Sequence, residues 1–381
     1  MGTEVADVGK RKQAVAAAKL AAELEPGTPL TARRREVLSK WTSMAQWVGT
    51  PQGEEAIDKI EAVWPGYTAT ANASILNAYY TDPDVVSAVW DWLRDNGVSA
   101  GHAFEPGCGR GDWMRHAPRA VTFDAVDIDP ISVRVAGLLT GRNVVESRLE
   151  RWDLGSSSRP EIHGYDLVVG NVPFSSVKPG VNNPHRDNLH NLAVARSVDM
   201  LRPGGVAAVI TSRYALDAAA SRGWRQRLAA EVELVGAYRL PANTHREAGT
   251  AVVTDLLVLR RPLPGEQRPV ADWLNTSTFQ IGDDTFTHNA YWDTHPDHVL
   301  GRYEAGGAYR RENLNVIGDA PAHRLLARAL AGQTVLYAPT GSAPQQVIPV
   351  VVSETGRRLP AGSIVIDATS TTGFTRDGHP H

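Results

Sequence analysis

The chain has 381 residues, 42% of them hydrophobic and 21% charged, and a formal net charge of −3. That length exceeds one small domain, and the apolar share can build a sizeable core, which excludes general disorder. The longest uncharged apolar runs, such as GGVAAVI at residues 204–210, fall well short of the ~18–20 residues of a membrane span. No basic-then-apolar leader opens the sequence, and a single cysteine, Cys108, can make no internal disulfide, so the expectation is a cytoplasmic protein. Charge is unevenly spread. Residues 171–250 hold ten Lys or Arg against six Asp or Glu, a local +4, while the remainder sums to −7. A locally positive face suits a polyanionic partner; a solvated face rich in arginine is the plain alternative.

Residues 1–71 are rich in Ala, Glu and Arg, with helical apolar spacing in VAAAKLAAEL and REVLSKWTSMAQWV. Pro26 and Pro29 separate these two helices of an N-terminal arm. Trp41, Trp47 and Trp64 read as packing residues of that arm rather than as a base-stacking platform. From 72 to 262 short β-rich runs (HAFEPG, AVTFDAVDID, YDLVVGN, GGVAAVIT, ELVGAYRL, VVTDLLVLRR) alternate with helical patterns (DPDVVSAVWDWLRDNG, PISVRVAGLLTG, LHNLAVARSVDMLRPG, AAASRGWRQRLAAE). Such alternation predicts an α/β fold, a doubly wound and mostly parallel sheet with helices on both faces. The last two strands are joined by PANTHREAGTA, which leaves no room for a helix, so the sheet should end antiparallel. After the Pro-rich seam RRPLPGEQRP, residues 263–381 hold β-like runs (QTVLYAP, QQVIPVVVS, GSIVIDA) between Gly, Pro and Ser turns and form a C-terminal appendage.

Three segments carry the chemistry. In FEPGCGRGDW a strand runs into a turn with glycines at 107, 109 and 111 and then a helix. Glycines at such a bend let a ligand approach the backbone, and the helix start adds free N–H groups. The spacing is not the dinucleotide GxGxxG. Glu105, just before the turn, would repel a pyrophosphate but would pair with an ammonium group, which favours a cofactor with an amino-acid moiety. About 20 residues on, AVDIDP places Asp127 at the end of the next strand, where an acid can accept hydrogen bonds from ribose hydroxyls. Ile128 beside it can pack on an adenine face. Third, YDLVVGNVPFSS sets Asn171, Val172, Pro173 and Phe174 directly after a buried strand, at the carboxyl edge where doubly wound sheets bind ligands.

With these residues the sequence resembles the class I S-adenosylmethionine-dependent methyltransferases, specifically the amino-methylating group with an Asn-Pro-Pro-aromatic motif. Phe rather than Tyr at 174, and the order of motifs, resemble the N6-adenine DNA methyltransferases. YYTDPDVV at 79–86 is similar to the family segment that closes over the methionine part of the cofactor. LRPGGVAAVITSRYALD, GAYRLP, AGTAVVTDLLVL and THPDHVLGRYEAGG resemble the methyltransferase part of helicase–methyltransferase proteins of mobile elements and phage-defence systems. The resemblance covers residues 75–310 and implies a Rossmann-like core at 72–262, with S-adenosylmethionine as cofactor and DNA as partner. It implies catalytic roles for Asn171, Val172, Pro173 and Phe174. The side-chain oxygen of Asn171 and the carbonyl of Val172 accept from both N–H groups of the target amine, and Phe174 stacks on a base swung out of the helix. It implies cofactor contacts from Tyr80, Thr81, Glu105, Pro106, Gly107, Gly109, Asp127, Ile128, Ser147 and Arg148, and no metal.

Two positions depart from the pattern. Val172 stands where most relatives have Pro, which keeps the carbonyl and loses the rigid φ. VVESRLERW lacks the Asp-Phe that many relatives set against the cofactor adenine, and Ser147 and Arg148 occupy the nearest positions. Lys178, Arg186, Arg213, Arg222 and Arg225 are candidate phosphate contacts, with a solvated helix face as the plain reading of the last three. Cys108 reads as a small residue in the glycine turn rather than a nucleophile. Asp293, His295, Asp297 and His298 read as helix-capping residues around a proline rather than a metal cluster. The appendage at 263–381 is short for the family's target-recognition domain. A partner subunit, a further C-terminal region or the arm would then supply specificity, in a restriction-modification or antiviral defence setting. The alternatives are a methyltransferase acting on RNA or on a protein glutamine, and a catalytically silent DNA-binding subunit.

Overall fold

The arm folds as α1 (Gly2–Glu23), α2 (Ala32–Ser39), α3 (Pro51–Glu61) and α4 (Tyr67–Ala73). The structure is a computed structural model describing residues 2–73, 80–158, 163–173, 175–242, 244–245, 252–306 and 314–337. All of these belong to one unit, Met1–Thr340. Ala14, Ala17, Ala18 and Ala21 form a fully buried ridge of small side chains on α1, at the i, i+3, i+4, i+7 spacing of one helix face. Thr31 and Thr50 cap α2 and α3 through their side-chain oxygens, and Pro51 occupies the first turn of α3. The second expected helix, REVLSKWTSMAQWV, stops at Ser39. Thr42 and Ser43 are buried, of a type that competes with helix for backbone bonds, and Trp41 turns inward to donate from Nε1 to Ser132 Oγ at 2.9 Å. Trp41 and Trp47 are core residues, and Trp64 donates to the Ala18 carbonyl.

The central sheet follows as α5 (Pro83–Asp95), β1 (Ala100–Pro106), α6 (Asp112–His116), β2 (Ala120–Asp127), α7 (Pro130–Thr140), β3 (Val145–Glu146) and β4 (Tyr165–Asn171). It continues through α8 (Leu189–Asp199), β5 (Leu201–Ser212), α9 (Tyr214–Asp217), α10 (Arg222–Glu231), β6 (Glu233–Leu240) and β7 (Thr254–Arg260). Its seven strands lie in the order β3-β2-β1-β4-β5-β7-β6. The first five are parallel, and β7 runs antiparallel to both β5 and β6. The fold is therefore the expected mixed, mostly parallel sheet with an antiparallel end. Alternation sorts its two faces: Leu167, Val169, Ala208 and Val258 join α5 in one core, while Val168, Val209 and Leu257 join α8 and α10 in the other. The chain winds outward from β1 to β3 and then restarts at β4 on the other side of β1. The switch point thus lies between the carboxyl ends of β1 and β4, where open α/β sheets bind ligands. The arm packs against α7 through Ile131, Val135, Leu138 and Leu139.

Beyond the sheet lie β8 (Thr276–Ile281), β9 (Asp284–Asn289), α11 (Tyr291–Thr294), β10 (Arg302–Ala305), β11 (Leu314–Ile317) and α12 (Ala322–Leu330). The β8–β9 hairpin turns on Gly282 and Asp283, with Gly282 at φ +60°. The expected strand QTVLYAP is no strand over its described part. Its backbone is instead spent on other elements: the Gln333 carbonyl accepts from Trp92 Nε1, and the Val335 amide donates to Asn96 Oδ1. QQVIPVVVS and GSIVIDA lie outside the described residues. No helix among the described residues is long and apolar enough to cross a membrane.

The expected positive face at 171–250 is largely consumed inside the protein. Arg239 is fully buried, donating to both oxygens of Asp255 at 2.9 Å and to Asp217 at 2.8 Å, and it lies over the Trp292 ring. Arg213 pairs with Asp217 and Arg202 with Asp166, both largely buried. A count along the sequence could not separate these internal ion pairs from surface charge.

Candidate functional site

β1 delivers Glu105 and Pro106 into the glycine turn, where Gly107 and Gly109 take φ of +66° and +54°. A methyl group on Gly109 would stand 2.9 Å from Tyr80 Cε1, and one on Gly107 would stand 3.3 Å from Pro173 Cδ. Two separated motifs, the Tyr80 segment and the one after β4, therefore close onto this turn only because it carries no side chains there. Asp127, at the end of β2, fixes the turn: its Oδ2 accepts from the Gly109 amide at 2.8 Å and its Oδ1 from the Asp129 amide at 2.9 Å. Asp129 in turn caps α7, accepting from the Ile131 amide and from Ser132 Oγ, both at 2.9 Å.

These elements enclose a cavity of about 750 Å3 at the switch point, within the usual size of small-molecule sites. Of the expected cofactor residues, Tyr80, Thr81, Glu105, Gly107 and Gly109 line it from the turn side. Asp127, Ile128, Ser147 and Arg148 line it from the β2–β3 side. Pro106 does not line it; it is packed beneath Gly170, a supporting residue rather than a contact. Asn171 and Pro173 line the cavity from the end of β4. Val172 is buried and its amide donates to the Ile210 carbonyl at 3.0 Å, which fixes the direction of the motif. Phe174 lies outside the described residues.

Acidic groups gather on the turn side of the cavity, whereas Arg148 and Arg151 line the end beyond β3. Glu105, Asp112, Asp127 and Asp129 converge on the glycine turn. Glu105 is 1% exposed and its Oε2 has no hydrogen-bond partner. Burial, then Asp112 and Asp127, push its carboxyl well above the usual range. Burial, then Asp127, push Asp129 up to about 7, and burial also raises Asp127. Thr81 Oγ1 and Trp113 Nε1 line the same cavity, buried and likewise without partners. Unsatisfied buried polar atoms, one of them a carboxyl oxygen, are costly alone and favourable with a matching ligand. This set fits a cationic group such as an ammonium beside further hydrogen-bonding groups. The Cys108 thiol is buried and pushed well up by that burial and by Asp127, which suits a filler and not a nucleophile.

Sequence reasoning missed several contributors. Ser43 and Asn72 reach the cavity from the arm, and Val177 and Val181 from the loop after β4; nothing in their spacing marks them. His245 is fully buried, with Nδ1 3.3 Å from the Tyr80 carbonyl and Nε2 3.0 Å from Thr254 Oγ1. Burial lowers its pKa to about 4. The ring is thus neutral, with Nδ1–H donating to Tyr80, and it braces Tyr80 from behind.

The expected phosphate contacts divide. Lys178 and Arg186 are exposed on the loop after β4. Arg225 is not a surface residue: it is fully buried and donates to the carbonyls of Leu274, Leu216 and Ala218, so it holds the packing of α10 instead. Arg213 is 9% exposed and bound to Asp217, and Arg222 donates to Asn275 Oδ1. Asp293, His295 and His298 are engaged with His288, Tyr291 and each other's rings.

No family model matches the chain. It is 26% identical over 247 residues to the defense against restriction protein B of Escherichia phage P1, an alignment covering 64% of this chain and 10% of that protein. The chain thus spans about a tenth of the length of that relative. Among solved structures it is similar to a Listeria monocytogenes protein assigned as a class I S-adenosylmethionine-dependent methyltransferase, with a TM-score of 0.45 and 11% identity over 68% of this chain and 90% of that one. It is also similar to the methyltransferase subunit of a type I restriction-modification system from Streptococcus thermophilus, with a TM-score of 0.40 and 15% identity over 56% of this chain and 50% of that one.

Proposed function

We propose that this chain is a methyltransferase that moves a methyl group from S-adenosylmethionine to the exocyclic N6 amino group of an adenine in DNA. One observation carries the reading. Asn171, at the carboxyl end of β4, lines the same cavity as Glu105, whose Oε2 has no hydrogen-bond partner, and the strand-end acid Asp127. When bound, S-adenosylmethionine supplies an electrophilic methyl on a sulfonium. Glu105, with Thr81 and Trp113 lining the same cavity, receives the amino-acid part, because a buried carboxylate oxygen without a hydrogen bond gains from an ammonium. Asp127 accepts from the Gly109 and Asp129 amides and keeps acceptor capacity for a ribose hydroxyl. Ile128 packs on the adenine face, and Ser147 and Arg148 edge the same end.

The amino nitrogen of adenine is a poor nucleophile because its lone pair is delocalised into the ring. Two acceptors on its N–H groups, Asn171 Oδ1 and the Val172 carbonyl, draw density back onto nitrogen and aim it at the methyl group. Phe174 is assigned the stacking role on the extruded base, which is worth roughly 1–3 kcal/mol. The product gives its proton to water, so no carboxylate base is needed and catalysis is positioning plus electrostatics. A restriction-modification or phage-defence setting, with a specificity or defence-system partner subunit, belongs to the same proposal. The likeness to a phage defense against restriction protein supports it. The test is transfer of labelled methyl to mixed DNA, RNA and protein pools by the wild type and by Asn171→Ala. Label in DNA that depends on Asn171 is expected, and label confined to protein overturns the reading.

A further inference from the structure

The segment that follows β4 is held from behind by the start of α8. Its entry is fixed by β5, whose Ile210 carbonyl accepts from the Val172 amide at 3.0 Å. Pro173 fixes its own φ and disfavours helical backbone at Val172 before it. Ser175 and Ser176 impose no such local constraint on the exit, and tertiary bonds supply it. His190, in the first turn of α8, has Nδ1 2.9 Å from the Ser175 carbonyl. A carbonyl can only accept, so Nδ1 carries the hydrogen and donates. The Leu189 amide, free of the helix's own bonding at this end, donates to the Val177 carbonyl at 2.8 Å, and the Val177 amide to Ser175 Oγ at 3.1 Å. The start of α8 is itself braced, since Trp224 Nε1 of α10 donates to the Asn191 carbonyl at 2.9 Å.

We propose that His190 is a positioning residue for methyl transfer: its Nδ1–H holds the Ser175 carbonyl, fixes the exit of the segment, and so sets the aim of the Val172 carbonyl at the target amino group. That role rests on the function proposed above. Ser175, Val177 and Leu189 line the cavity and His190 does not, so the imidazole acts through the Ser175 carbonyl rather than on the reacting atoms. The ring is 4% exposed and burial lowers its pKa, so it is neutral and Nε2 is a bare acceptor. Nε2 is buried without a hydrogen-bond partner among the described residues. A buried acceptor with no bond is a cost that a leucine at 190 would not carry. A side chain kept for stability alone would therefore be apolar. What the imidazole adds is its bond to the exit of the segment.

The test sets His190→Leu, which removes the donor, beside His190→Asn, whose Nδ2 reproduces the donor at the place of Nδ1. Backbone hydrogen exchange of peptides spanning 172–190 is read by mass spectrometry on the ligand-free proteins. Steady-state methyl transfer is read on whichever of the DNA, RNA and protein pools the wild type labels. His190→Leu should exchange faster in this stretch alone, with S-adenosylmethionine affinity unchanged and no lower midpoint in urea. It should lose about 10- to 100-fold in kcat with little change in KM. His190→Asn should return protection and rate toward the wild type. Wild-type protection and kcat in His190→Leu overturn the proposal. So does equal loss in both variants, which makes the volume of the ring what matters, and so does a fall in S-adenosylmethionine affinity that keeps step with kcat. Should His190→Leu not fold, His190→Gln, whose amide reaches toward Nε2 instead of Nδ1, takes its place with the same expectations. Label in protein alone, at a rate still dependent on His190, sinks the adenine reading and leaves the positioning role standing. With a wild type that labels no pool the proposed function fails, and exchange then decides alone: unchanged protection in His190→Leu overturns the hold on Ser175.

Discussion

Replacing Glu105 by Gln removes one charge from the cavity while keeping the shape of the side chain. In the free protein Oε2 has no hydrogen-bond partner, and burial holds the carboxyl far above its ordinary range. A bound ammonium reverses both conditions. A hydrogen bond to a charged group is worth about 1.5–3 kcal/mol, so Glu105→Gln should weaken S-adenosylmethionine roughly 10- to 150-fold. Isothermal titration with S-adenosylmethionine and with 5′-methylthioadenosine, which lacks the amino-acid part, isolates the contact: only the first ligand should lose affinity. Below the raised value of Glu105 the wild type must release a proton on binding, so its affinity should fall as pH falls, and the Gln variant should lack this slope. Stability should move the other way. A carboxyl raised on folding makes the folded state bind more protons, so its contribution is lost as pH rises toward the folded value. The neutral Gln escapes that loss, and the ligand-free variant should be at least as stable as the wild type in mildly alkaline buffer. Equal weakening of both ligands, or a fall in stability together with affinity, would refute the assignment of Glu105 to an ammonium.

Three further substitutions probe the frame of the site. Burial, then Asp127, push Asp129 up to about 7 in the folded protein, against an ordinary 3.8, a difference worth up to ~4 kcal/mol. Urea unfolding should therefore show Asp129→Asn matching the wild type near pH 4 and exceeding it at pH 8, whereas an equal difference at both pH values contradicts the burial argument. Gly109→Ala puts a side chain at φ +54° and 2.9 Å from the Tyr80 ring. At about 1–2 kcal/mol of backbone strain it should cost cofactor affinity some 5- to 30-fold by titration, and unchanged affinity would show that the turn does not set the site. Arg239→Met strips the partner from Asp255 and one partner from Asp217. It should destabilise the protein by about 3–5 kcal/mol in denaturant, with Arg239→Met, Asp255→Leu recovering part of the loss.

The sheet was legible because its strands are buried on both faces, and runs such as YDLVVGN and DLLVL say so without tertiary knowledge. The short PANTHREAGTA connection announced the antiparallel end for the same local reason. Glu105, Asp127 and Asn171 were legible as strand-end residues, since a doubly wound sheet gathers its strand ends at one edge. What escaped was everything set by side chains meeting across the fold. The second arm helix failed at Trp41, whose bond to Ser132 outweighs local helical spacing. Arg225 reads as a surface residue of a helix until the carbonyls around it are seen. The β8–β9 hairpin hides in TFQIGDDTF because its strands are half-exposed and weakly alternating. His245 braces Tyr80 from 165 residues away, and no periodicity reports that.

The central claim is that Asn171 presents an adenine amino group to the methyl donor. Nucleoside analysis of DNA incubated with labelled S-adenosylmethionine tests it most directly, with donor affinity measured on the same samples. The account predicts that label from the wild type migrates as N6-methyladenine. For Asn171→Ala it predicts a rate at least ~100-fold lower, with donor affinity within about threefold. Label on another base, or an Asn171→Ala variant that methylates adenine as fast as the wild type, would contradict it.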